Sequence, residues 1–173
     1  MKPIVQVPIK FGVIAGLLGG LIAIVLYYMG RHPFLFNPIF DYRVLLFPIF
    51  MFFTLKEFRD YYQEGVMYFA QGMICCLVFT TSYAIVGSAI IWIFGEINDE
   101  FVTTFIQLFK EQAKGLSENE IKQMGKENFE RNLKAVESTN AFWMAWNYFK
   151  QCYWIGLFFS LIISAVLRRQ PKI

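Results

Sequence analysis

Gly65 to Gly95 contains no charged side chain. A helix needs roughly 20 apolar residues to cross the hydrocarbon core of a bilayer, and this run exceeds that. It is not isolated. Phe11 to Gly30 is uncharged between Lys10 and Arg31, with Gly30 suited to end a helix. A basic start before an apolar run is also the layout of a signal peptide. This run is long, ends in Tyr27-Tyr28 and shows no small-residue cleavage pattern, so it reads as a retained first helix.

Val44 to Leu55 is too short alone, but Asn37-Pro38 supplies an N-cap followed by proline at the first helical position. A helix from there to Lys56 is long enough, with Asp41 in its first turn, where the helix dipole favours a carboxylate. Pro48 lies inside and is expected to kink it. A last apolar run ends at Arg168-Arg169, with Lys150 near its other end. The expectation is an all-α polytopic membrane protein, a single membrane domain over 1–173. Its four transmembrane helices fall at about 11–30, 38–56, 71–95 and 146–167. Composition agrees: 57% of the chain is hydrophobic and 17% charged, against about 25% charged in soluble domains. That excludes disorder and a water-soluble enzyme.

Residues 96–140 form the one sizeable polar segment, expected as an extramembrane helical hairpin. Phe101, Val102, Phe105, Ile106, Leu108 and Phe109 recur at helical spacing until Gly115. Ser117 and Glu120 fit a capping box opening a second helix, with Ile121, Met124, Leu133 and Val136 as its stripe and Phe129 off the period.

Four crossings put both termini on one side. A bare count of Lys and Arg nearly balances. Lys10 and Arg168-Arg169 abut their helices, whereas the hairpin's bases are diluted by acids, so both termini are expected in the cytoplasm. Trp92, Trp143, Trp146 and Trp154 are expected as an interfacial belt near the outer ends of the last two helices, where Lys150 snorkels to the same depth.

Gly12, Gly16 and Gly20 make a smooth face on the first helix. Such a face serves either a partner helix or packing within the chain, against Gly87-Ser88-Ala89 or Ser160 and Ser164. Lys56, Arg59 and Asp60 follow the second helix, expected to pair as Lys56–Asp60 and Arg59–Glu64 or to anchor on anionic lipid. Phe101, Phe105 and Phe109 offer an exoplasmic partner face, unless the hairpin covers itself. His32 is expected as a solvated loop histidine. Cys75, Cys76 and Cys152 read as packing residues. The deep parts of the predicted helices carry no ionisable group, which disfavours an ion-coupled transporter. Catalytic motifs, a metal set, a cofactor fingerprint and a basic nucleic-acid stripe are all absent from the sequence.

The sequence resembles a family of small four-helix inner-membrane proteins of Bacteroidota, classed as a domain of unknown function. The features that carry the resemblance are Lys10-Phe-Gly-Val-Ile-Ala-Gly16, Leu55-Lys-Glu-Phe-Arg-Asp60, Gly65-Val-Met-Tyr-Phe-Ala-Gln-Gly72 and the ending Leu161 to Arg169. The resemblance implies a bacterial inner membrane and an exoplasmic insertion, with no catalytic residues to carry over. It also implies, by association only, a role beside a membrane glycosyltransferase. The expected function is a non-catalytic accessory or scaffolding subunit, with membrane lipids and another membrane protein, or a second copy, as partners and no nucleic acid. On that reading Gly16→Leu dissociates the complex without unfolding the chain. The alternative is a small oligomeric transporter or lipid-handling protein with a polar cavity around Gln71, Thr80 and Thr81.

Overall fold

Pro3 opens the first helix, because a residue without an N–H and with φ preset is at home in a first turn. This helix, α1, spans Pro3–Tyr28, starting well before the expected position 11. Pro8 lies inside it, and its missing N–H leaves the Ile4 carbonyl without a helical donor. The Cys75 thiol donates to that carbonyl instead, at 3.6 Å. At the other end Gly30 adopts φ +76, and the Arg31 N–H turns back to the Leu26 carbonyl at 3.0 Å.

The computed structural model describes residues 2–35, 41–117, 121–122 and 125–169. Within these residues α1 is followed by α2 Leu46–Tyr62, α3 Phe69–Ile97, α4 Asp99–Lys114, α5 Lys126–Glu137 and α6 Ala141–Leu167. Among the described residues, α1, α3 and α6 are long and apolar enough to cross a membrane.

Glycine contacts set the register of the packing. A Cβ on Gly12, Gly16 or Gly20 would meet Phe79 and Ser82, Tyr83 and Val86, or Ile90 in turn, so α1 and α3 run parallel. Gly72 faces Ser164, Gly156 faces Thr80, Gly87 faces Tyr148 and Gly95 faces Ala141, so α3 and α6 run antiparallel. Against α1, Phe50 meets Phe11 and Glu57 meets Lys10, which makes α2 antiparallel as well. The four helices therefore alternate in direction. Their termini meet at one end, where Met67 and Arg169 exchange both backbone hydrogen bonds at 2.9 Å.

The second helix differs from expectation. Asn37-Pro38, its expected start, lies outside the described residues. Asp41 is an N-cap rather than a first-turn residue: its Oδ1 accepts from the Arg43 N–H at 2.9 Å, opening a 3-10 turn over Tyr42–Leu45. The α-helix proper begins only at Leu46 and runs on to Tyr62. Pro48 is consequently its third residue, in a turn whose N–H groups need no helical acceptor, so the expected interior kink is replaced by a tolerated first-turn proline. Phe47 packs on Phe79 and Tyr83, with ring centroids at 6.4 and 4.5 Å, near the middle of α3. Thus α2 covers only the half of the bundle nearest the termini. The described residues after α1 lie against the other half, with Phe34 against Tyr148 at 6.3 Å.

Among the described residues, the polar segment carries α4 and α5, with helical residues 121–122 between them. Asn98 caps α4 by accepting from Glu100 N at 3.1 Å, and Gly115 follows its last residue, as expected. Ile121 and Lys122 are helical, and the Ile121 N–H donates to the Ser117 carbonyl at 3.1 Å, as a helix opening after Ser117 requires. The helix α5 starts afresh at Lys126, because Gly125 has φ +82, which no helix interior accommodates. Glu120 and Met124 lie outside the described residues. Lys110 Nζ of α4 donates to Glu137 Oε1 of α5 at 2.7 Å. Asn140 caps α6 through the Trp143 N–H at 2.7 Å, so the helix starts at Ala141, about five residues before the expected position. That shift corrects the tryptophan belt: Trp154 falls mid-helix, about 16 Å along the axis from Trp143 at about 1.5 Å per residue, too far for one headgroup layer. All four tryptophans are exposed.

Candidate functional site

The half of the bundle that α2 does not reach holds irregular backbone beside two helices of spanning length. Such backbone needs internal hydrogen-bond partners, and a pair of charged side chains provides them. Asp41 Oδ2 accepts from Arg43 Nε at 2.7 Å and also from Nη2. Arg43 Nη2 in turn donates to the Pro33 carbonyl at 3.1 Å, tying the start of the connection to its end. Both side chains are 7% exposed. The guanidinium lies over the Tyr148 ring, 5.0 Å from its centroid, a cation–π contact that offsets part of the cost of burial. Tyr83 and Tyr148 hydroxyls are 3.3 Å apart. With Phe47, Gln151 and Cys152 they line a cavity of about 20 Å³ beside the ion pair. Arg43 Nη1 is buried there without a protein partner, as is the Thr80 hydroxyl nearby in α3. A buried ion pair of this kind adds little net stability, but removing one partner strands the other charge.

His32 closes the outer side of this site and corrects the expectation of a solvated loop histidine, since it is 3% exposed. Phe34 N–H donates to Nδ1 at 3.4 Å and Nε2 sits 3.0 Å from the Phe101 carbonyl. With Nδ1 accepting, the neutral tautomer that satisfies both contacts carries its proton on Nε2. The ring stacks on Phe101 at 4.9 Å and 25°, with Tyr27 edge-on at 5.9 Å and Phe105 at 5.4 Å. Burial pushes the imidazole pKa below its ordinary value, and the Arg43 charge acts the same way, against the Phe101 carbonyl, which raises it. The sequence signal for this burial was the ring density of the surroundings, not the histidine itself.

The structure uses the other singled-out residues differently from one another. Gly12, Gly16 and Gly20 are buried against α3, so their smooth face is occupied inside the chain. Its counterpart is the α3 face of Phe79, Ser82, Tyr83, Val86 and Ile90 rather than Gly87-Ser88-Ala89 of the same helix or Ser160 and Ser164 of α6. Gly87 and Ser164 instead lie in the α3–α6 contact, where Gly87 receives Tyr148 and Ser164 donates to Cys76 Sγ at 3.7 Å. Phe101 and Phe105 are buried in the aromatic cap with His32 and Phe94, leaving Phe109 half-buried beyond it. In place of the expected Lys56–Asp60 and Arg59–Glu64 pairs, Arg59 Nε donates to Asp60 Oδ1 at 2.7 Å, and Lys10 pairs with Glu57 at 2.9 Å. Gln71 closes a capping box on Tyr68 and donates to Gln63. Thr81 donates to the Leu77 carbonyl at 2.8 Å, while Thr80 is packed against Gly156.

Beside Phe109, α4 and α5 enclose a groove of about 620 Å³. Phe109, Ala113, Leu116 and Phe129 line it together with Gln112, Asn128, Arg131 and Asn132.

The family model described as "Protein of unknown function (DUF4199)" matches residues 10–169, and the chain belongs to that family. No curated protein and no solved structure matches the chain.

Proposed function

We propose that this member of the DUF4199 family is a four-crossing protein of the bacterial inner membrane, with both termini cytoplasmic, acting as a non-catalytic subunit of a membrane complex. The second crossing is a broken one: α2 traverses the half nearest the termini, and the Asp41–Arg43 connection completes it. Internal satisfaction of that connection by Arg43 and Pro33 is what a bilayer demands of non-helical backbone.

The observation that carries the subunit role is the α4–α5 groove. Phe109, Ala113, Leu116 and Phe129 put apolar side chains in its lining on a segment otherwise dense in charge, and that segment has nine acids against six bases, which disfavours an anionic lipid surface. The occupant is an extramembrane segment of a partner protein. It places aliphatic side chains on Phe109, Leu116 and Phe129 and makes polar contacts with Gln112 and Asn132. The glycine face, already packed on α3, takes no part.

Purification of the tagged chain in mild detergent, followed by intact-mass measurement, tests this. A stoichiometric unrelated protein that is lost from Phe109→Asp, with the bundle still folded, is the expected result. A homo-oligomer alone replaces the subunit reading with the transport alternative, and a monomer removes the partner. Single cysteines at Lys2 and Glu111, in a background with Cys75, Cys76 and Cys152 replaced by alanine, test the threading. They are expected to react with impermeant maleimide from opposite sides.

A further inference from the structure

The end of the molecule where the termini meet gathers cations from three separate elements. Lys10 comes from α1, Lys56 and Arg59 from α2, and Arg168 and Arg169 follow α6. The tail is not free to leave: Arg169 is fixed by its paired backbone bonds to Met67, whose side chain is fully buried. That tie holds the exposed Arg169 side chain near the second helix, where the Asp60 carboxylate lies in the fields of Arg59, Lys56 and Arg169 together. Two of the cations are spoken for, Lys10 by Glu57 and Arg59 by Asp60. Lys56 and Arg169 are both exposed. Their charge stands at the end of three helices of membrane-spanning length, which in the placement proposed above is the level of the lipid phosphates.

We propose that this end binds the headgroup of an anionic phospholipid, with Lys56 and Arg169 contacting its phosphate and Arg59 held in position by Asp60. The inference rests on the membrane placement proposed above. Its logic is that of any basic cluster at a membrane surface, where each Lys or Arg changes affinity for anionic lipid by a factor of about five. What is specific here is the backbone clamp. It brings a residue from the far end of the sequence beside α2 and fixes its backbone there.

The test uses the full chain in non-ionic detergent, offered equal amounts of phosphatidylglycerol and phosphatidylcholine and read by native mass spectrometry. The wild type is expected to retain phosphatidylglycerol at least about fivefold more than phosphatidylcholine. Lys56→Gln with Arg169→Gln is expected to bring the two to parity. Both side chains are exposed and the Arg169 tie runs through its backbone, so the fold is retained. Should the double variant lose helicity, Lys56→Gln alone is read in the same way, with a loss of about fivefold expected. Parity in the wild type, or an unchanged preference in the variants, overturns the inference. Stripping of the lipid by excess inorganic phosphate overturns it in favour of a free-anion site. Alkaline extraction from phosphatidylcholine vesicles separates the two readings. Release of the chain means that the membrane placement has failed, whereas retention without lipid preference means that only the headgroup inference has failed.

Discussion

At the residue scale the molecule turns on two side chains whose burial local sequence does not announce. Arg43 and Asp41 satisfy each other and the backbone between α1 and α2, so the single substitutions Arg43→Leu and Asp41→Leu each strand a charge. Each is expected to lower stability by about 3–5 kcal/mol, whereas the double substitution recovers most of the loss. Thermal unfolding of the three variants in one detergent checks this, and additive losses would count against a coupled pair. His32 gives a pH signature. Its folded pKa is lowered, so the unfolded chain takes up a proton first as pH falls through the ordinary value of 6.5. Stability is therefore greatest above that value and declines towards pH 5. In His32→Gln, which keeps a donor for the Phe101 carbonyl, the imidazole's share of that decline is expected to vanish. An unchanged melting-temperature difference between pH 7 and pH 5 would sink the assignment.

At the element scale, glycine is what lets α1 and α3 lie parallel and close. A Cβ at Gly16 would stand 2.9 Å from both the Tyr83 carbonyl and Val86 Cβ, and backbone cannot yield as a flexible side chain does. Gly16→Leu is thus expected to destabilise the chain itself, by about 1–3 kcal/mol or more, rather than to dissociate a complex from an intact fold. Loss of melting temperature in the purified chain is the readout, and a stable fold with a lost partner would restore the other reading. The glycine spacing was legible in the sequence, but its counterpart was not, because spacing defines a face and says nothing of which helix meets it. Helix ends divide along the same line. Gly30 ends α1 with the positive φ that glycine permits, whereas Gly115 follows α4 with an ordinary φ of −79. Pro48 misleads because a proline's effect depends on its distance from a helix start, and Asp41 moves that start.

For the whole molecule, three buried thiols report on closure. Cys75, Cys76 and Cys152 are each buried, so a small maleimide is expected to leave all three unlabelled in the folded protein and to label all three once it is denatured. Labelling of Cys152 in the folded chain would show that the ion-pair half of the bundle opens. What the sequence determined by itself follows from composition and run length: an all-helical chain with several helices of spanning length and a polar insertion between the last two. Those properties are sums over local residues, set by how much apolar side chain one turn after another presents. Only the tertiary structure decided that α2 stops half-way along α3, that Arg43 and His32 go inside, and that Phe101 and Phe105 cap the bundle instead of waiting for a partner. Each of these depends on which groups are left unsatisfied when helices pack, such as an open half beside α2, the Pro33 carbonyl and an aromatic layer over α1. Those needs exist only between elements, and no window along the chain contains both sides of them.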